Sequence, residues 1–226
     1  MMKVLVVAAH PDDEVLGCGG TITRLTQEGH NVYIAILGEG ATSRYQHQEE
    51  ADQAQVKALH ARSQQVAELL GAKDLFLYNL PDNRFDTVPL LDVIKIIEQL
   101  IERVQPEVVY THHGGDLNID HVITHRAVLT ATRPMINCPV KKIYAFEVPS
   151  STEWAFEQFQ PFQPNIFMDI SATLETKLKA MELYESEGRA FPHPRSPEAL
   201  RALAQWRGST VGLKAAEAFE LIRAVG

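Results

Sequence analysis

The sequence predicts a doubly wound α/β fold, with a mostly parallel sheet and helices on both faces, as a single domain over residues 1–226. Three observations carry this reading. Short apolar runs rich in β-branched residues recur along the chain, stretches of helical period separate them, and 226 residues at 45% apolar content can bury one sizeable core. Strands alternating with helices at this spacing imply right-handed crossovers and a Rossmann-like sheet covered on both sides.

The elements follow in order. Val4 to Ala9 is a continuous apolar run, as expected of a strand buried on both faces. Gly17, Gly19 and Gly20 open a short helix with Ile22 and Leu25 on its apolar side and Gly29 as its stop. These glycines miss the GxGxxG spacing because position 22 is Ile, so they speak for close helix-to-strand packing rather than for a dinucleotide. Asn31 to Leu37 reads as the second strand, and one long helix runs from about Gln46 to Leu70, with Ala51, Ala54, Ala58, Ala61, Val66 and Leu69 in helical rhythm. Asp74 to Tyr78 is the third strand, followed by a turn at Pro81 to Asp86. Val93, Ile94, Ile97, Leu100 and Ile101 mark a helix that ends before Pro106, and Glu107 to Thr111 is the fourth strand. A polar loop starts at His112 and leads into a helix carrying Val122, Ala127, Val128 and Ala131. Lys142 to Phe146 and Ile166 to Ile170 are later strands, and helical segments begin at Ala172, Pro197 and Leu213. The aromatic, Pro-rich stretch from Pro149 to Pro164 reads as an inserted loop or a substrate flap.

Composition excludes several functions. The formal charge is −8 and no Lys/Arg run is present, which argues against a nucleic-acid footprint and for a small-molecule partner. Two cysteines, Cys18 and Cys138, form no CxxC pair and suit a reducing compartment, so a cytoplasmic location is expected. The N-terminal apolar run is too short for a signal peptide, and no stretch approaches the roughly 20 apolar residues of a membrane span.

In open α/β sheets, ligands bind beyond the carboxyl ends of the strands where strand order reverses. With the order 3-2-1-4, the first and fourth strands adjoin. The loops His10-Pro11-Asp12-Asp13-Glu14 and His112 to His121 then form one site. Both carry imidazole and carboxylate without thiolate in reach, the donors of a hard-to-borderline divalent ion. His10, Asp13 and His121 fill the three protein positions of a catalytic zinc, and Asp12 is left free as general base. Plainer readings compete. A His at a strand end is commonly a hydrogen-bonded structural residue, Asp120 and His121 suit an ordinary helix N-terminus, and His125 suits a supporting position on the same helical face. Against these, two adjacent acids and a His at a buried strand end need a cation to offset their repulsion and desolvation. His193, in the FPHPRSP loop of Phe191 to Pro197, is a further site candidate, with an ordinary solvated loop as the alternative.

HPDDE after the first strand, paired with Asp120-His121 after the fourth, resembles the zinc-dependent N-acetylglucosaminyl de-N-acetylase superfamily, the PIG-L or LmbE-like proteins. GEGATSR at Gly38 to Arg44, PDNRFD at Pro81 to Asp86 and the RG and AEAF segments between Arg207 and Phe219 extend the resemblance over nearly the whole chain. It implies that His10, Asp13 and His121 hold Zn2+ or another divalent transition metal and that Asp12 is the general base. It further implies that Asp120 orients an imidazole and that Arg44, Asp82 and Arg84 contact sugar hydroxyls. The implied reaction is hydrolysis of the N-acetyl amide of an amino sugar, sugar nucleotide or small glycoconjugate, an activated water attacking the carbonyl. Relatives are often oligomers, so a homo-oligomer is a further expectation. One position departs from the pattern. Many relatives carry His where this chain has Asn118, which donates a hydrogen bond but cannot move a proton. That catalytic role then falls to His112, His113 or His125, or to Asp12 acting as base and then acid. Two other classes compete: a non-catalytic sugar-binding relative and a phospho-receiver domain. The latter lacks its acceptor, because the third strand ends at Leu77-Tyr78-Asn79 without an Asp.

Overall fold

The computed structural model describes residues 1–42, 53–156 and 159–226. In chain order the elements are β1 (Lys3–Ala8), α1 (Asp13–Gln27), β2 (Asn31–Gly38), α2 (Gln53–Leu69), β3 (Asp74–Leu80), α3 (Leu90–Val104), β4 (Val108–His112), α4 (Ile119–Ala131), β5 (Lys142–Phe146), β6 (Ile166–Asp169), α5 (Leu174–Leu183), α6 (Pro197–Ser209) and β7 (Ala216–Ala224). Among the described residues the strands form one sheet in the order β3-β2-β1-β4-β5-β7-β6. The first five are parallel, whereas β7 runs antiparallel between β5 and β6.

The uninterrupted apolar run in β1 follows from burial on both sides. Val4, Val6 and Ala8 face one core with residues of α1, α2, α5 and α6, while Leu5 and Val7 face the other with α3 and α4. Strand order reverses at β1 and β4, so the chain leaving each strand emerges at the same crevice. No described helix is long and apolar enough to cross a membrane.

Three expectations need correction. The segment from Leu213 is not helical; Ala216–Ala224 is β7. Its Ala- and Glu-rich composition favours a helix, but the slot between β5 and β6 supplies backbone partners on both sides and overrides propensity. His112 is not in a loop but is the last, fully buried residue of β4. The first helix starts at Asp13, directly behind the HPD turn, so the glycines lie within it. The expected start of the long helix before Gln53 lies outside the described residues.

Helix α1 is broken at Cys18 (φ −149°, ψ 23°), and its freed backbone groups are satisfied from the opposite end of the chain. The amides of Gly20 and Thr21 donate to the Glu217 carboxylate at 3.0 and 2.7 Å, while Lys177 Nζ donates to the Leu16 carbonyl at 2.8 Å and to Glu217 at 2.6 Å. At Gly17 a Cβ atom would fall 2.3 Å from the Phe146 ring, so only glycine lets the helix lie this close to β5.

A second polar clamp fastens the segment after β5. His113 Nδ1 lies 2.7 Å from Glu220 Oε2, His113 Nε2 2.7 Å from the Gln160 carbonyl, and the Gln163 amide donates to Glu220 at 2.6 Å. Burial pulls the imidazole down, but Glu220 and the Gln160 carbonyl outweigh it and raise His113 above its ordinary 6.5. Burial pushes Glu220 up, and His113 with the Gln163 amide brings it below its ordinary 4.5. The His113 contribution is complete below pH 6.5 and is lost as pH rises through the raised folded value. The Glu220 contribution is present above pH 4.5 and is lost as pH falls through the lowered one. The clamp is therefore strongest between the two. His113→Gln should lower the melting midpoint more at about pH 5.5 than at about pH 8.5, by roughly 2 °C or more, which a pair of thermal scans measures.

Candidate metal centre

The turn after β1 is tight because it must pass directly into α1. Asp12 sits at its corner with φ 106°, an unusual conformation for a residue with a Cβ, and Asp13 Oδ2 accepts from the His10 amide at 2.8 Å. Across the crevice, Asn118 caps α4 by accepting from the Asp120 amide at 2.8 Å, which sets Asp120 and His121 on the first turn. The two loops converge. Ligand atoms of His10, Asp13 and His121 lie within 4.8 Å of one another. His10 Nδ1 is 3.3 Å and His121 Nε2 is 3.2 Å from Asp13 Oδ2.

Each imidazole is backed by a carboxylate on its far side. His10 Nε2 pairs with Asp120 Oδ2 at 2.9 Å, and Asp120 Oδ1 accepts from the Phe85 amide at 2.9 Å. His121 Nδ1 lies 3.1 Å from Asp116 Oδ1. Asp116 in turn accepts from the Asn118 amide at 2.8 Å, from Thr152 Oγ1 at 2.6 Å and from Ser151 Oγ. Such backing fixes ring orientation and raises ligand basicity. His112 stacks on His121 with ring centroids 4.0 Å apart and accepts the Ala9 amide at 2.8 Å, so it shapes the pocket from within the sheet.

The charges call for a cation. Asp12, Asp13, Asp82, Asp116 and Asp120 are all buried around the crevice. Burial opposes ionisation of Asp13, but His121 and His112 hold it well below the usual carboxylate range; for Asp116, His121 and the two hydroxyls overcome burial and bring it to about 2. Burial would depress His121, yet Asp13 and Asp116 lift it to about 9. A proton held this strongly by flanking carboxylates occupies the place a dication would take. His121 Nε2, on the Asp13 side, is buried without an aligned hydrogen-bond partner among the described residues, as expected of a ring nitrogen aimed at an ion. The His10, Asp13 and His121 donors therefore fit a divalent metal.

Other expected residues fall as follows. Asp12 is not free: Arg195 Nη1 pairs with its Oδ2 at 2.7 Å. Burial raises its pKa well above the usual carboxylate range, with Arg195 opposing and Asp13 adding to the rise. Asn118 lines the cleft, but its amide donates to Asn83 at 2.8 Å while its oxygen caps α4, so both ends are engaged. Asp82 is buried in the cleft wall, with Oδ1 3.4 Å from His10 Nε2, facing the imidazole rather than open solvent. Arg84 precedes the 3-10 turn Phe85–Thr87 and is not among the described residues lining the cleft. Arg44 lies outside the described residues. His193 also misses the cleft; it packs edge-on against Trp154 at 5.8 Å, and Arg195, two residues on, enters instead.

Sequence reasoning missed Arg195, Asp116 and Glu14. Glu14 is buried behind the turn, accepting from the Asp12 amide at 3.1 Å and from the Tyr184 hydroxyl at 2.7 Å, and burial raises it to about 7. Asp116 carried a usable signal, an acid inside the His112 to His121 loop. Arg195 carried only its place in a Pro-flanked loop.

Comparison with known proteins gives a consistent neighbourhood. The chain is 28% identical over 193 residues to an uncharacterized deacetylase, YaiS, of Escherichia coli K12, covering 81% of this chain and 90% of that protein. It is 27% identical over 233 residues to the diacetylchitobiose deacetylase of Thermococcus kodakarensis, covering 97% of this chain and 83% of the other. The crystal structure of GalB, the 4-carboxy-2-hydroxymuconate hydratase of Pseudomonas putida KT2440, superposes with a TM-score of 0.78 over 100% of this chain and 98% of that one. At 23% identity that likeness shows the fold alone. The family model PIG-L, described as GlcNAc-PI de-N-acetylase, matches residues 5–132, more than half of the sequence, and the chain belongs to that family.

Proposed function

We propose that the protein is a metal-dependent hydrolase that removes the N-acetyl group from an amino sugar or a small glycoconjugate, with Zn2+ held by His10, Asp13 and His121. The observation that carries this reading is the convergence of two imidazoles and a carboxylate on one point, with the Asp12 carboxylate beside it. A divalent ion bound there supplies Lewis acidity and brings the pKa of a coordinated water towards about 7. Asp12 takes the proton of the attacking water and returns it to the departing amine. Arg195 holds the Asp12 side chain in place for both transfers. With Asn118 engaged at both ends, proton movement is assigned to Asp12 rather than to position 118. Asp120 and Asp116 keep the two rings aimed at the ion. Amide hydrolysis is also supported by the deacetylase relatives, one of which acts on an acetylated disaccharide.

The test joins metal analysis to acetate release. The wild-type protein, loaded with zinc, should retain about one ion per chain and liberate acetate from an acetamido sugar. His10→Ala should lose the ion and lose activity by more than the 10–100-fold that removal of an outer partner costs. Full turnover in protein stripped of metal would sink the proposal, and ligand binding without acetate release would favour the non-catalytic binder.

A further inference from the structure

The loops after β1 and β4 bring His10, Asp13 and His121 together, and the side chain of His112 stands between those loops. It is fully buried at the end of β4. The chain is held firmly there, because the His113 amide donates to the Phe146 carbonyl at 3.0 Å and His125 Nδ1 donates to the His112 carbonyl at 2.8 Å. The ring therefore has a fixed base.

The ladder between β1 and β4 ends at the pair Val6 and Tyr110, so the Ala9 amide lies beyond the last strand partner on that side. The His112 ring takes the partner's place, with Nε2 accepting from that amide at 2.8 Å. A nitrogen that accepts carries no proton. The Ala9 bond thus fixes the neutral tautomer with hydrogen on Nδ1, since an imidazolium would set two N–H groups against each other. Asp13 Oδ2, at 3.6 Å from Nε2, is beyond hydrogen-bond reach.

Nδ1 is itself buried without an aligned partner among the described residues. An unpaired N–H is costly to bury, so the position holds imidazole for its other properties. These are the acceptor at Nε2 and the flat face. The face lies on His121, with ring centroids 4.0 Å apart and planes 16° from parallel. A neutral ring can lie this close to a His121 that is charged or holds an ion, whereas a second charged ring would be repelled. Phenylalanine offers the face without the acceptor, and glutamine offers the acceptor without the face. Histidine joins the two.

We propose that His112 is a positioning residue for the metal centre: its Nε2 holds the amide ahead of His10, its ring sets the plane of His121, and it moves no proton. This rests on the reading of His10, Asp13 and His121 as the ion-holding set of a deacetylase. It also removes His112 from the groups that could serve in place of a histidine at position 118.

Nitrogen NMR of the zinc-loaded wild-type protein tests the tautomer. A coupling across the hydrogen bond should link the Ala9 amide nitrogen to His112 Nε2, with the ring proton on Nδ1; a proton on Nε2 would overturn the inference. Zinc retention against a competing chelator tests the positioning. His112→Phe and His112→Gln should each hold zinc about 10–100-fold more weakly, the range for loss of an outer partner. Val109→Ala, on the same strand but in the core on the other face of the sheet, is the control for general loosening. It should lower the melting midpoint and leave zinc retention within about twofold of wild type. Either His112 variant holding zinc as tightly as Val109→Ala would overturn the inference, and if neither variant folds the NMR measurement decides it. Should the wild type hold zinc but release no acetate from an acetamido sugar, the deacetylase reading falls and the role of His112 stands.

Discussion

Asp12→Asn should leave a folded, metal-loaded protein whose acetate release is about 10²–10⁴-fold slower. The substitution is close to isosteric, and asparagine tolerates positive φ better than most residues, so the strained corner at φ 106° survives. The carboxamide removes the negative charge that Arg195 Nη1 meets at 2.7 Å and cannot accept a proton from water at neutral pH. The ion site itself keeps His10, Asp13 and His121. Metal content therefore separates this variant from His10→Ala, in which both ion and activity go. Turnover above about a tenth of wild type, at equal metal content, would move the base to another residue.

The largest effect on stability is expected at Lys177→Met. Lys177 and Glu217 are both buried, and the ammonium is shared between the Leu16 carbonyl and the Glu217 carboxylate. Removing it leaves that carboxylate buried against only the Gly20 and Thr21 amides. Loss of one partner from a buried pair costs about 3–5 kcal/mol, or roughly 6–20 °C in melting midpoint for a chain of this size. Adding Glu217→Gln to Lys177→Met should cost less than the sum of the single changes, because the second removes the charge stranded by the first. Urea unfolding of the four proteins measures the cycle. A loss below about 1 kcal/mol in Lys177→Met would show that the break at Cys18 does not depend on this support.

Much of this was legible in the residues. The parallel strands announced themselves because burial on two faces leaves no room for polar alternation, as in Val4 to Ala9. The meeting of the loops after β1 and β4 followed from strand order, which brought His10, Asp13 and His121 to one place. What stayed hidden depended on distant partners. Nothing local marks β7 as a strand, since its ladder is made with β5 and β6. The pairing of Arg195 with Asp12 spans 183 positions and carries no periodic signature. His112 looked like loop because it is polar, yet the Ala9 amide and the His121 ring give it partners inside the sheet.

The knot of donors at Asp116 joins two parts of the molecule. Behind it stands the His121 imidazole of the candidate metal centre; in front of it, Ser151 and Thr152 moor the loop that carries Trp154. A change at either hydroxyl is therefore felt on both sides, at the carboxylate that backs His121 and at the turn that carries Trp154.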